Sequence, residues 1–167
     1  MASNKYTLFI YIMVAVVTGL FVGCDSQTVY NHFEHTSMNG WERNDTLTFV
    51  TAPLTAGNYD EQLALRISGD YPFLSVNLVV EQRAEPAQQV IRDTLVCDLI
   101  GKDGVVKGHG VSSYQYMFPL KRLHVPDSTT LHLTVRHDMK REMLPGITEL
   151  GIVIKRADDD WRRGAGK

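Results

Sequence analysis

The chain has 167 residues, of which 44% are hydrophobic and 22% charged, with a formal net charge of −2 and a pI near 6.3. That balance lacks the basic excess a nucleic-acid face requires, and the length suits one domain with its own core rather than two. Cys24 and Cys97 are the two cysteines; if the first is modified the second has no partner, and burial alone must hold the fold.

The N-terminus carries one positive charge, Lys5, followed by an almost unbroken apolar run from Tyr6 to Val22. The run is slightly short of the ~20 residues that cross a bilayer. A positive start, an apolar centre and small residues at the cut describe an export signal instead. The segment Leu20-Phe21-Val22-Gly23-Cys24 resembles a bacterial lipobox, with Gly23 directly before the cysteine and Phe21 bulkier than the usual Leu. The expected organisation is a signal peptide over 1–23 and a lipid-bearing Cys24 with a polar tether over 24–30. A β domain over 31–157 and a flexible tail over 158–167 complete it. Each buried methylene adds roughly 0.8 kcal/mol, so several acyl chains on one cysteine anchor durably where a single short chain does not.

Beyond residue 30 the dominant period is two. Leu47-Thr48-Phe49 alternates apolar with polar. Leu63, Leu65 and Ile67 share one face, Leu74, Val76, Leu78 and Val80 form a second stripe, Leu131, Leu133 and Val135 a third, and Leu150, Ile152 and Ile154 a fourth. Successive strand side chains point to opposite faces, so each stripe predicts a half-buried strand. Breakers separate them: Ala52-Pro53, Ala56-Gly57-Asn58, Glu85-Pro86, Asp103-Gly104, Pro126-Asp127 and Pro145-Gly146. Short strands at this spacing predict an all-β chain, a single antiparallel sandwich of Ig-like or jelly-roll-like type.

Candidate chemistry is sparse. The six histidines are His32, His35, His109, His124, His132 and His137. The pairs 32/35 and 132/137 differ in strand parity, which argues against a shared zinc site. His137 is in phase with Leu131, Leu133 and Val135 and reads as a structural residue at a strand end. Cys97 is in phase with Ile91, Leu95 and Leu99, as a small buried hydrophobe would be. No nucleophile elbow, phosphate loop or zinc-protease helix occurs, so neither enzyme chemistry nor a cofactor is expected. Asp158-Asp159-Asp160 lacks the glycine and distal glutamate of a calcium loop. Trp41, Tyr71, Phe73, Tyr114, Tyr116 and Phe118 are the candidate contact residues. Either they plug the core or they line a groove for a sugar or peptide.

Several blocks in fixed order resemble the gliding-motility lipoprotein family GldH of the Bacteroidetes. They are Cys24, Asn39-Gly40-Trp41, Asp70-Tyr71-Pro72-Phe73, Asp93-Thr94-Leu95 and Asp103-Gly104 with Gly108 and Gly110. His137-x-Met139-Lys140, Leu144-x-Gly146-Ile147 and Leu150-Gly151-x-Val153-Ile154-Lys155 follow. Val105-Val106 stands where members often carry a Trp, and Lys140 where Arg is usual. The resemblance implies an outer-membrane lipoprotein without catalytic activity, needed for gliding and for the associated type IX secretion apparatus. Its partners would be the membrane, through the lipid, and other envelope proteins, rather than nucleic acid or a small molecule. A surface glycan-binding module is the alternative and needs Trp41 or the Tyr71/Phe73 pair exposed. An envelope hydrolase would need clustered acids or histidines.

Overall fold

A computed structural model describes residues 27–126 and 128–157. Cys24 and the segment 158–167 lie outside them. The strands in chain order are β1 (Thr28–His35), β2 (Trp41–Glu42), β3 (Leu47–Val50), β4 (Gly57–Ser68), β5 (Ser75–Glu85), β6 (Gln89–Asp98), β7 (Ser113–Val125), β8 (Thr130–His137), β9 (Met143–Leu144) and β10 (Ile147–Arg156). They form two four-stranded antiparallel sheets, ordered β1-β10-β4-β7 and β3-β8-β5-β6, with β2 and β9 as a separate short ribbon.

Setting the ribbon aside, the remaining eight strands run first-eighth-third-sixth in one sheet and second-seventh-fourth-fifth in the other. This is the double-sheet jelly-roll order. It decides between the two sandwich types the sequence allows. Apart from the β5–β6 hairpin, each major strand connection crosses from one sheet to the other. These crossing connections sew the two layers together across one core.

That core follows from alternation. Leu63, Leu65 and Ile67 of β4 and Leu150, Ile152 and Ile154 of β10 face Leu47 and Phe49 of β3. They also face Val76, Leu78 and Val80 of β5 and Leu131, Leu133 and Val135 of β8, in a single buried cluster. Two expectations change. Leu74 lies outside the stripe and is exposed, because β5 begins one residue later and the Leu74 carbonyl accepts the amides of Leu99 and Ile100. Thr28–Tyr30, assigned to the tether, are strand, with Thr28 opposite Lys155 and Tyr30 opposite Ile154.

β10 is buried on both faces, which a simple alternation would not produce. The Phe33 ring of β1 lies flat against Gly151, where an added Cβ would come within 2.7 Å of it, and Arg66 stacks 4.6 Å above the same ring. Arg66 also pairs with Glu149 of β10. A small residue at 151 thus lets an aromatic ring roof the outer face of the sheet.

The sandwich has two unlike ends. The loops 36–46, 69–74, 99–112 and 138–146 gather at one; the shorter connections 51–56 and 86–88 lie at the other, with residues 27, 126, 128, 129 and 157.

Candidate functional site

At the long-loop end the β2–β9 ribbon places Trp41 opposite Leu144. The indole is fully buried, and its Nε1–H donates to the Asp45 carbonyl at 3.0 Å. Its ring meets His137 edge-on at 5.3 Å. His137 closes β8 and is itself fully buried. Its Nε2–H donates to the Trp41 carbonyl at 3.1 Å, while Nδ1 accepts the Met139 amide at 3.4 Å. Those partners need the neutral Nε2–H tautomer, since a protonated ring would set two donors against each other. Burial pushes the His137 pKa down, consistent with that state.

Tyr71 is buried with its hydroxyl donating to the Ser75 carbonyl at 2.9 Å, and Phe73 packs edge-on against it, half-buried. On β7, Tyr116 is buried, donates to the Leu99 carbonyl at 3.2 Å and lies parallel to the half-buried Phe118. Tyr114 is half-buried against the same core. The contact residues Trp41, Tyr71, Phe73, Tyr114 and Tyr116 are therefore not assembled into one exposed aromatic face. Three of the five are interior, because each ring has an apolar body to bury and a backbone carbonyl in reach of its polar tip.

Cys97 sits fully inside, where burial pushes its thiol up to about 12 and leaves it unreactive. Histidine–carboxylate pairs lie on the surface, His32 with Glu34, His35 with Glu149 and His132 with Glu85. Among the described residues no three His, Cys, Asp or Glu side chains gather as a metal site would require.

One polar site was missed by sequence reasoning. Glu61 of β4 is only 2% exposed, in phase with Tyr59, Leu63 and Leu65. Gln82 of β5, also buried, reaches across from the other sheet and donates its Nε2–H to Glu61 Oε1 at 2.8 Å. Glu61 Oε2 has no hydrogen-bond partner. Burial pushes the Glu61 carboxyl up to about 7, against the opposing pull of Lys121 and the Gln82 hydrogen bond. The two residues open onto a cleft of about 290 Å³ that Asp93, Lys121 and Leu95 also line. The signal was present: an acid and an amide each fall in register with a core stripe. Their meeting was not, because they belong to different sheets.

No curated protein matches the chain. Solved structures similar to it include a family GH115 4-O-methyl-alpha-glucuronidase with specificity for decorated arabinogalactans, at 12% identity and TM-score 0.46, covering 81% of this chain and 18% of that one. A ruminal GH26 endo-beta-1,4-mannanase is similar at 9% identity and TM-score 0.42, covering 80% and 27% respectively. A family 35 carbohydrate-binding module from Clostridium thermocellum is similar at 6% identity and TM-score 0.38, covering 74% and 89%. The chain spans about a fifth to a quarter of the length of the two enzymes. A family model described as GldH lipoprotein matches residues 28–154, from the first residue of β1 almost to the end of β10. The chain belongs to the GldH lipoprotein family.

Proposed function

We propose that this protein is a lipid-anchored, non-catalytic component of the cell envelope, held at the outer membrane by acyl chains on Cys24. There it supports gliding motility and the associated type IX secretion apparatus through protein–protein contacts. Membership of the GldH lipoprotein family carries the reading. The apolar run ending at Gly23-Cys24 supports the anchor, since it supplies both an export signal and the thiol to be acylated. A glycan-binding role is disfavoured, because Trp41 and Tyr71 spend their faces on the core instead of a sugar.

The test is genetic and chemical together. Deleting the gene in a gliding species should abolish colony spreading and retain normally secreted surface proteins in the cell. Restoring the wild-type gene should recover both and incorporate labelled palmitate; Cys24→Ala should do neither. Unimpaired spreading and secretion in the deletion strain would overturn the role, and palmitate in the Cys24→Ala protein would overturn the anchor.

A further inference from the structure

The jelly roll leaves β6 and β7 as the outermost strands on one side of the sandwich, and among the described residues neither pairs with a further strand. The cleft that holds Glu61 opens between them. Ile91, Asp93 and Leu95 of β6 form one wall, Leu120 and Lys121 of β7 the other, and Glu61 with Gln82 the floor. The opening continues past Ile91 and Lys121 towards Leu123 and Val125, as a smaller cavity of about 140 Å³.

Three observations define what belongs there. The carboxylate oxygen Oε2 of Glu61 is buried in this lining and unbonded, although Lys121 lies in the same cleft. A missing hydrogen-bond donor is therefore the chemical deficit of the site. Its two acids, Glu61 and Asp93, outnumber its one cation, Lys121, so the donor that fits best is positively charged. The volume lies just under the range of about 300–1,000 Å³ usual for small-molecule pockets, which suits one long side chain better than a whole ligand.

The walls specify how that side chain arrives. An unpaired sheet edge is a template for an added strand, and proteins commonly guard such edges with inward-pointing charges. Asp93 is in phase with Ile91, Leu95 and Cys97, so it guards the β6 edge from its inner side. Such a charge repels an apolar strand but favours one bearing a cation at the matching position.

We propose that the β6 edge takes up an extended basic segment of a partner envelope protein. A Lys or Arg side chain of that segment enters the cleft between Glu61 and Asp93 and donates to Glu61 Oε2. The added backbone supplies the affinity and the basic residue the register. This names the partner chemistry behind the protein-contact function and rests on that reading.

The full chain, purified in detergent, is titrated at pH 8 with a fluorescein-labelled peptide alternating Thr and Val around one central Lys. A second peptide has Gln in place of that Lys. Fluorescence anisotropy should show the Lys peptide binding at least about tenfold more tightly than the Gln peptide. Glu61→Gln, which keeps the side-chain shape, should erase that preference. Asp93→Asn, at an exposed position that leaves the core intact, should weaken it on its own. Equal binding of the two peptides, binding of neither, or a preference that survives both substitutions would each overturn the inference. If motility still depends on the gene while the peptide preference is absent, the cleft assignment fails and the envelope role stands.

Discussion

Glu61 and His137 are buried ionisable side chains at opposite ends of the core, and their neutral forms respond to pH in opposite senses. Burial raises the Glu61 pKa from an ordinary 4.5 to about 7. The stability it contributes is complete below pH 4.5, where folded and unfolded forms are both protonated, and is lost as pH rises through 7. At pH 8, above both the ordinary value and the folded one, the unfavourable contribution is about 3 kcal/mol. Glu61→Gln should therefore stabilise the protein by about that amount in urea unfolding at pH 8 and by almost nothing at pH 4.5. An equal gain at both pH values would mean that packing, not ionisation, sets the effect. His137 works the other way: its pKa is depressed below 6.5, so its contribution is complete above pH 6.5 and declines as pH falls below it. Sequence phase alone placed His137 inward, whereas Glu61, equally in phase with its core stripe, went unread. The partners that determine their chemistry were hidden, because Gln82 and the Trp41 carbonyl come from strands paired elsewhere.

Strands legible in the sequence mostly have one wet face and one dry face; β10, buried on both faces, was legible through its stripe Leu150, Ile152 and Ile154 alone. β3, β4 and β8 carry their alternation through most of their length, and their stripes are the core. β5 does so once Leu74 is excluded. β7 escaped because its inward set changes phase: Tyr114, Tyr116 and Phe118 point inward before the irregularity near Pro119, and Lys121, Leu123 and Val125 after it. An edge position tolerates both the proline and the bulge. β1 escaped because its one large outer aromatic, Phe33, roofs Gly151 and so breaks the alternation of burial. Turns were read more securely where backbone geometry demands a residue type. Gly146, between β9 and β10, has a φ of +81°, and a Cβ there would lie 2.5 Å from the Tyr71 amide nitrogen. Gly146→Ala combines left-handed strain with a backbone clash, and should destabilise the domain by about 2–5 kcal/mol in urea unfolding. The Gly104 turn, with a φ of +79° but nothing within 4 Å of its Cβ position, provides the control. Gly104→Ala should cost only the strain, about 1–3 kcal/mol. Equal losses at the two positions would show that the Tyr71 contact is relieved by movement.

At the scale of the whole molecule, the start of β1 sets how an anchored domain would stand on its membrane. Thr28 is already paired with Lys155, so the reach from Cys24 is four residues, at most about 14 Å fully extended. The short-loop end, with the connections 51–56 and 86–88, would then be held against the bilayer. β4 has 12 residues, which at ~3.3 Å each carries the opposite end about 40 Å away. The long loops and the Trp41–His137 plug would face outward, and the β6–β7 cleft would open sideways between the two, reachable by a neighbour in the same membrane. A fluorophore attached at Ala87 in the lipidated protein on vesicles should be strongly quenched by spin-labelled lipid headgroups. One at Met38, a fully exposed long-loop residue, should be quenched far less. Comparable quenching at the two positions would mean that the domain lies flat or swings freely. In that case the sideways presentation of the cleft would have to be abandoned even if the anchor itself is real.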